Sequence, residues 1–152
     1  MSSLRVMVTG ATGFIGAPLV QKLLAGGCEV LAISRSKPEG ESIQGSCEGR
    51  QAGWLEADLS RPESYQDAVV AFAPQVLIHL AWQGIPDYSF ATSLDNQNQS
   101  LALLSFVIGL ESLQKVLVSG SCWEYAHAKG ECSETDISQP QNDFTWAKHS
   151  IR

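Results

Sequence analysis

The chain has 152 residues, 44% of them hydrophobic and 17% charged, and carries a formal net charge of −6. That length supports one domain with a substantial core, and the composition disfavours both disorder and a membrane span. No apolar run reaches transmembrane length, no basic cluster offers a nucleic-acid footprint, and the N-terminus enters a strand instead of a signal peptide; a cytoplasmic protein without membrane or nucleic-acid partners is expected.

Leu4 to Thr9 is a mostly apolar run of strand-favouring residues, and an apolar helical pattern follows Gly16. Between them stand glycines at 10, 13 and 16. The first permits a sharp turn, the second lets a pyrophosphate approach the backbone, and the third lets helix and strand pack closely. Three glycines also occur in ordinary turns, but their place after a strand and before a helix is the context a dinucleotide site requires. Gly10, Thr12, Gly13, Phe14, Ile15 and Gly16 are therefore the expected phosphate-binding stretch, at the unpaired N–H groups of a helix start.

The segment Thr9-Gly10-Ala11-Thr12-Gly13-Phe14-Ile15-Gly16 resembles the short-chain dehydrogenase/reductase superfamily, in its extended branch of sugar-nucleotide epimerases, dehydratases and reductases. The resemblance implies a doubly wound, Rossmann-like parallel sheet of strand order 3-2-1-4-5, a nicotinamide dinucleotide cofactor and a nucleotide-sugar substrate. It admits a homodimer.

A helix is expected over Phe14–Ala25, with apolar rows at 15, 19, 23 and 16, 20, 24, stopped by Gly26-Gly27 and irregular near Pro18. Cys28–Ile33 reads as the second strand. At its end, where an acidic residue would select NAD, stand Ser34, Arg35 and Lys37. Arg35 suits a 2′-phosphate, so NADP is expected over NAD; a solvated surface arginine is the alternative.

Residues 36–52 read as an irregular loop, and Trp54–Leu59 as a short third strand. The resemblance gives Asp58 and Leu59 an adenine contact, with Asp58 helping to start the next helix as the alternative, while Ser60 and Glu63 are expected to form a capping box for a helix burying Tyr65, Ala68, Val69 and Phe72. Gln75–Ala81 reads as a central buried strand. Its end, His79-Leu80-Ala81, is similar to the family's H-x-A segment, which makes Leu80 and Ala81 backbone wall beside the cofactor and His79 a satisfied core residue.

Trp82 to Ala91 is a loop at the carboxyl edge of the sheet, where Trp82 and Tyr88 line a substrate pocket or simply pack. A helix is expected over Ser93–Leu113, with a core stripe at 101, 104, 107, 108 and 110. Asn96 falls at the family's helix asparagine, with Asn98 a competitor. Lys115–Ser119 is the fifth strand, and the following Ser121-Cys122-Trp123-Glu124-Tyr125 is similar to the family's serine-rich strand end.

That similarity makes Ser121 the catalytic hydroxyl, against the plainer reading of a turn residue. Cys28, Cys47, Cys122 and Cys132 lack metal-ligand spacing, so reduced thiols and no metal site are expected. Glu134, Pro140 and Phe144–Lys148 fit the approach to the family's Tyr-x-x-x-Lys pair, which makes Lys148 a catalytic and ribose-binding lysine, with a surface lysine as the alternative. The tyrosine position holds Phe144, which has no hydroxyl and cannot act as general acid/base. Either Glu124, Cys122, an ordered water or Ser121 carries the proton, or the chain binds dinucleotide without standard chemistry. The expected organisation is one NAD(P)-binding domain over 1–152 that stops inside the active-site helix, the C-terminal substrate-binding part being absent.

Overall fold

The computed structural model describes residues 3–37, 52–125, 130, 132–133 and 135–152. Five strands, β1 (Arg5–Thr9), β2 (Glu29–Ser34), β3 (Gly53–Glu56), β4 (Val76–His79) and β5 (Lys115–Val118), form one sheet. It is parallel throughout, in the order β3-β2-β1-β4-β5. Among the described residues four α-helices accompany it: α1 (Gly16–Ala25), α2 (Gln66–Phe72), α3 (Phe90–Ile108) and α4 (Asp143–Ser150).

Alternation along β1 divides the core. Val6 and Val8 face Val20 and Leu24 of α1, together with Val30 and Ala32 of β2. Met7 joins Ile33 and Leu77 on the other face, against Val69 of α2 and Leu103 and Val107 of α3. Both faces of the central strands are dry, as a parallel sheet with crossover helices requires.

Several boundaries differ from the sequence expectation, for local reasons. Helix α1 begins at Gly16 instead of Phe14, so Pro18 is its third residue and its missing N–H falls in the first turn, where nothing is lost. Of the two apolar rows foreseen, Gly16, Val20 and Leu24 are buried, while Ile15 is exposed. The third strand ends at Glu56, leaving Asp58 and Leu59 in a loop.

The Ser60–Glu63 capping box does not form. Asp58 captures both the N–H and the hydroxyl of Ser60, at 2.9 and 2.8 Å, and a 3₁₀ turn over Pro62–Ser64 precedes α2. Helix α3 starts at Phe90, capped by the Ser89 hydroxyl, and stops at Ile108 before Gly109. Its core stripe is Asn96, Ser100, Leu103, Leu104 and Val107; Leu101 and Ile108, expected inside, are exposed. Helix α4 closes at Ser150, so Arg152 lies beyond it and not within it. Most of the 36–52 loop, Cys47 and Glu134 lie outside the described residues.

Beside β5 an apolar groove of about 600 Å³ runs along Leu101, Leu104, Ile108, Val116, Val118 and Ile151, and Leu117 is half exposed on the strand itself. Among the described residues no strand pairs with the outer side of β5.

The glycine turn is the tightest backbone junction. Gly10 has φ of +69°, and a Cβ there would stand 2.8 Å from the Ala81 nitrogen; a Cβ on Gly16 would overlap the Gly10 carbonyl oxygen and stand 2.9 Å from Ala11 Cα. Gly16→Ala should therefore lower stability by about 1–3 kcal/mol, read as a shift of the urea-unfolding midpoint. A variant as stable as the parent would remove this contact from the packing of α1.

Candidate dinucleotide crevice and neighbouring catalytic pocket

The carboxyl ends of β1, β2 and β4 surround a crevice of about 210 Å³. Its walls include Gly10, Thr12 and Gly13 from the glycine turn, Ser34 and Arg35 after β2, Asp58 and Leu59 after β3, and Leu80 and Ala81 after β4. It thus gathers nine of the residues expected at a cofactor. Phe14, Ile15 and Gly16 do not line it: the Phe14 side chain is 99% exposed, and Gly16 is buried beneath the turn.

The crevice sits at the switch point, where β1 has β2 on one side and β4 on the other. Its shape fits a pyrophosphate. The turn exposes backbone where Gly10 and Gly13 lack side chains, and a Cβ on Gly13 would stand 3.1 Å from the Gly10 carbonyl oxygen.

At one end, the Asp58 carboxyl is held below the usual carboxylate range, first by the Ser60 N–H, then by the Ser60 hydroxyl, with Arg61 and Arg35 adding positive charge. It is a fixed anion facing the crevice. Arg35 is exposed and donates to Gln83 Oε1 at 3.2 Å, so its guanidinium reaches from the end of β2 to the loop after β4. Ser34 turns its hydroxyl to the Ser36 carbonyl at 2.7 Å.

The floor is a buried polar chain. His79 Nδ1 lies 2.7 Å from the Thr9 hydroxyl and Nε2 lies 2.9 Å from the Ser100 hydroxyl, which joins β1, β4 and α3. Burial, with the Lys148 charge as a lesser cause, pushes the imidazole down to about 4. His79 is accordingly a satisfied core histidine, as expected from its apolar strand. Asn96 receives the Gln83 N–H at 2.8 Å and donates to the Gln83 and Thr92 carbonyls at 3.0 and 2.8 Å, fixing the loop entry; Asn98 is exposed.

Lys148 and Ser121 line a second cavity of about 380 Å³ with Ser119, Cys122, Glu124 and Arg152. Lys148 is 7% exposed and therefore not a surface lysine. Its Nζ donates to the Ser119 carbonyl at 3.0 Å and to the Ser119 hydroxyl at 3.3 Å, and it lies 4.1 Å from the centre of the Trp82 ring. Burial brings the ammonium down to about 8, against the opposing charge of Glu124.

Ser121 caps the 3₁₀ turn Cys122–Glu124. Its Oγ accepts the Trp123 N–H at 3.2 Å, while its own N–H donates to Glu124 Oε1 at 2.7 Å. The hydroxyl proton is not used by that cap. Glu124 is buried, and its Oε2 lies 3.5 Å from both His149 and Arg152.

Phe144 fills the tyrosine position at the centre of an aromatic cluster. Its ring lies 5.5 Å from Trp82, 5.1 Å from Tyr88 and 6.3 Å from Trp123, all edge-on. Trp82 is the shared wall: it belongs to the crevice that holds the glycine turn and covers Lys148.

Sequence reasoning missed Ser119 as the lysine's partner, and it read Glu124 as a proton carrier or substrate contact without its part in capping Ser121. Ser-x-x-Glu from 121 to 124 is a capping-box spacing and could have disclosed the latter. The aromatic cluster joins residues far apart in the chain, and no local spacing announces it. The three cysteines described are free, and among the described residues no group of potential metal ligands assembles.

Comparison with known proteins identifies the family. The profile of the NAD dependent epimerase/dehydratase family matches residues 6–152. A dTDP-6-deoxy-L-talose 4-dehydrogenase (NAD(+)) from Aggregatibacter actinomycetemcomitans is 26% identical over 149 residues, covering 98% of this chain and 53% of that protein. The crystal structure of Thermus thermophilus UDP-glucose 4-epimerase in complex with NAD superposes with a TM-score of 0.69 at 25% identity, over 97% of this chain and 48% of that one. The Campylobacter jejuni UDP-Glc/GlcNAc 4-epimerase superposes with a TM-score of 0.82 at 17% identity, over 98% and 47%, a likeness of fold. The chain spans about half the length of these proteins.

The histidine gives a test of the floor. Above pH 6.5 the imidazole is neutral in both folded and unfolded chains; between 6.5 and about 4 only the unfolded chain takes up the proton, so stability falls as pH is lowered through that window. The expected loss is about 2 kcal/mol, measured by urea unfolding at pH 7 and at pH 4.5. Unchanged stability across that window would show that His79 is not held neutral in the floor.

Proposed function

From the premise that this chain belongs to the NAD dependent epimerase/dehydratase family, we propose that it is the cofactor-binding part of an enzyme that acts on a nucleotide sugar by hydride transfer. The observation that carries this reading is the convergence of Gly10, Gly13, Arg35, Asp58, Leu80 and Ala81 on one crevice at the switch point. The substrate class follows the proteins this chain resembles, among them the UDP-glucose 4-epimerases and the talose dehydrogenase.

Each residue then has a task. The glycine turn accepts the pyrophosphate without side-chain interference. Asp58 and Leu59 border the adenine, and Arg35 meets a 2′-phosphate, which favours NADP over NAD. A bound nicotinamide supplies the hydride acceptor and donor. Lys148 holds the nicotinamide-side ribose, and Ser121 uses its free hydroxyl proton to polarise the reacting sugar oxygen.

A second reading is favoured by Phe144. Its ring is packed against three aromatic neighbours and carries no proton, so the site lacks the phenol that the family uses. A dinucleotide-binding or sensing protein with weak turnover would have this arrangement. Loss of a general acid/base costs about 10²- to 10⁴-fold in rate and leaves cofactor binding intact.

Turnover of a full-length version with a panel of nucleotide sugars, followed by the nicotinamide absorbance, separates the two; tight cofactor binding without hydride transfer for any sugar favours the sensing reading. Phe144→Tyr should raise the rate by about 10²-fold or more. An unchanged rate would remove Ser121 and Lys148 from the reacting centre. Arg35→Asp should weaken NADP at least about tenfold more than NAD in calorimetry, because a carboxylate repels the 2′-phosphate. Equal loss of both cofactors would take Arg35 out of the 2′-phosphate role.

A further inference from the structure

Five buried side-chain polar atoms lack a hydrogen-bond partner among the described residues: Trp54 Nε1, Tyr65 Oη, Trp82 Nε1, Ser93 Oγ and Glu124 Oε2. Of these residues only Trp82 lines the crevice that holds the glycine turn. A buried donor without an acceptor is costly, and native structures keep such groups where a ligand supplies the missing partner or where strain is tolerated.

The surroundings of Trp82 fix the indole in place. Lys148 Nζ sits over one face, 4.1 Å from the ring centre, and the Phe144 ring meets it edge-on at 89° and 5.5 Å. The next residue, Gln83, is clamped through its backbone by Asn96. The ring is therefore held by its face and by its chain connection, while its one polar atom is left unpaired. An indole N–H can only donate, so the missing partner is an acceptor.

We propose that Trp82 is a cofactor-binding residue whose indole N–H donates to an oxygen on the nicotinamide-side half of the dinucleotide. This rests on the dinucleotide reading of the crevice. The choice of half follows from position: Trp82 lies against Lys148, the residue assigned to the nicotinamide-side ribose, whereas Asp58 and Arg35 belong to the adenosine side. The indole thereby does two jobs, closing the crevice over the lysine and reading the ligand.

Trp82→Phe tests this, because phenyl keeps an aromatic face for Lys148 and deletes the donor, at the cost of a smaller ring. Calorimetry on the protein should show about tenfold weaker binding of whichever of NAD and NADP the parent prefers, and unchanged binding of ADP, which lacks the nicotinamide half. The thermal midpoint of the ligand-free variant should stay close to that of the parent, because removal of the unsatisfied donor offsets the packing that the smaller ring gives up. A purely structural indole predicts the reverse, a lowered midpoint with affinity unchanged, and that result would overturn the assignment. Equal weakening of ADP and of the full dinucleotide would also overturn it, by placing the acceptor elsewhere. If the parent binds neither NAD nor NADP, the dinucleotide reading itself falls, and this inference with it; parent binding that the variant retains in full defeats the inference alone.

Discussion

Backbone contact without intervening side chains sets the geometry of this protein. Helix α1 begins directly upon the Gly10 carbonyl, and Gly10 itself passes against the backbone of Leu80 and Ala81 at the end of β4. Three segments that a side chain would hold apart are thereby drawn together at one point. The crevice exists because of that approach: two of its walls, the glycine turn and the Leu80–Ala81 segment, carry the backbone that the glycines bring close. Below it, the Thr9–His79–Ser100 chain locks β1, β4 and α3 in register, so the carboxyl edge has a rigid base.

The architecture was largely legible because its signals are local. Alternating or continuous apolar runs mark the five strands, and the glycine spacing marks the turn that follows the first. Errors cluster where two local signals compete for one group. Ser60 and Glu63 have capping-box spacing, but Asp58, two residues earlier, reaches the Ser60 N–H and hydroxyl first. In α3, Leu101 and Ile108 are as apolar as Leu103, and only the angle at which the helix lies on the sheet, with polar Asn96 and Ser100 pointing inward, decides which row is buried. The spacing at Ser121 and Glu124 shows the opposite case, a cap that does form and that fixes a strand-end serine.

The site was legible in its components but not in its division. Sequence reading places Lys148 and Ser121 with the glycine turn as one functional set. In the folded chain they border a separate cavity, with the Trp82 indole between that cavity and the crevice. A tryptophan following His79-Leu80-Ala81 carries no spacing signal for this role, since its partners lie in α4, more than sixty residues on. Phe144 is similar: the loss of a hydroxyl can be read from one letter, but the three aromatic rings that enclose the position become visible only when loops after β4 and β5 meet α4.

Among the described residues β5 is an edge strand, which bears on how this chain is handled. An edge strand offers a row of backbone donors and acceptors, and such edges are normally blunted by charge, proline or a covering element. Here Lys115 is the only charged residue of β5, Leu117 is half exposed, and the neighbouring groove is lined mainly by aliphatic side chains. Strand addition at that edge is second order in protein, whereas events at the glycine crevice are not. Measurements of ligand affinity therefore need to be repeated across a range of protein concentration, so that self-association at one side of the sheet is not read as chemistry at the other.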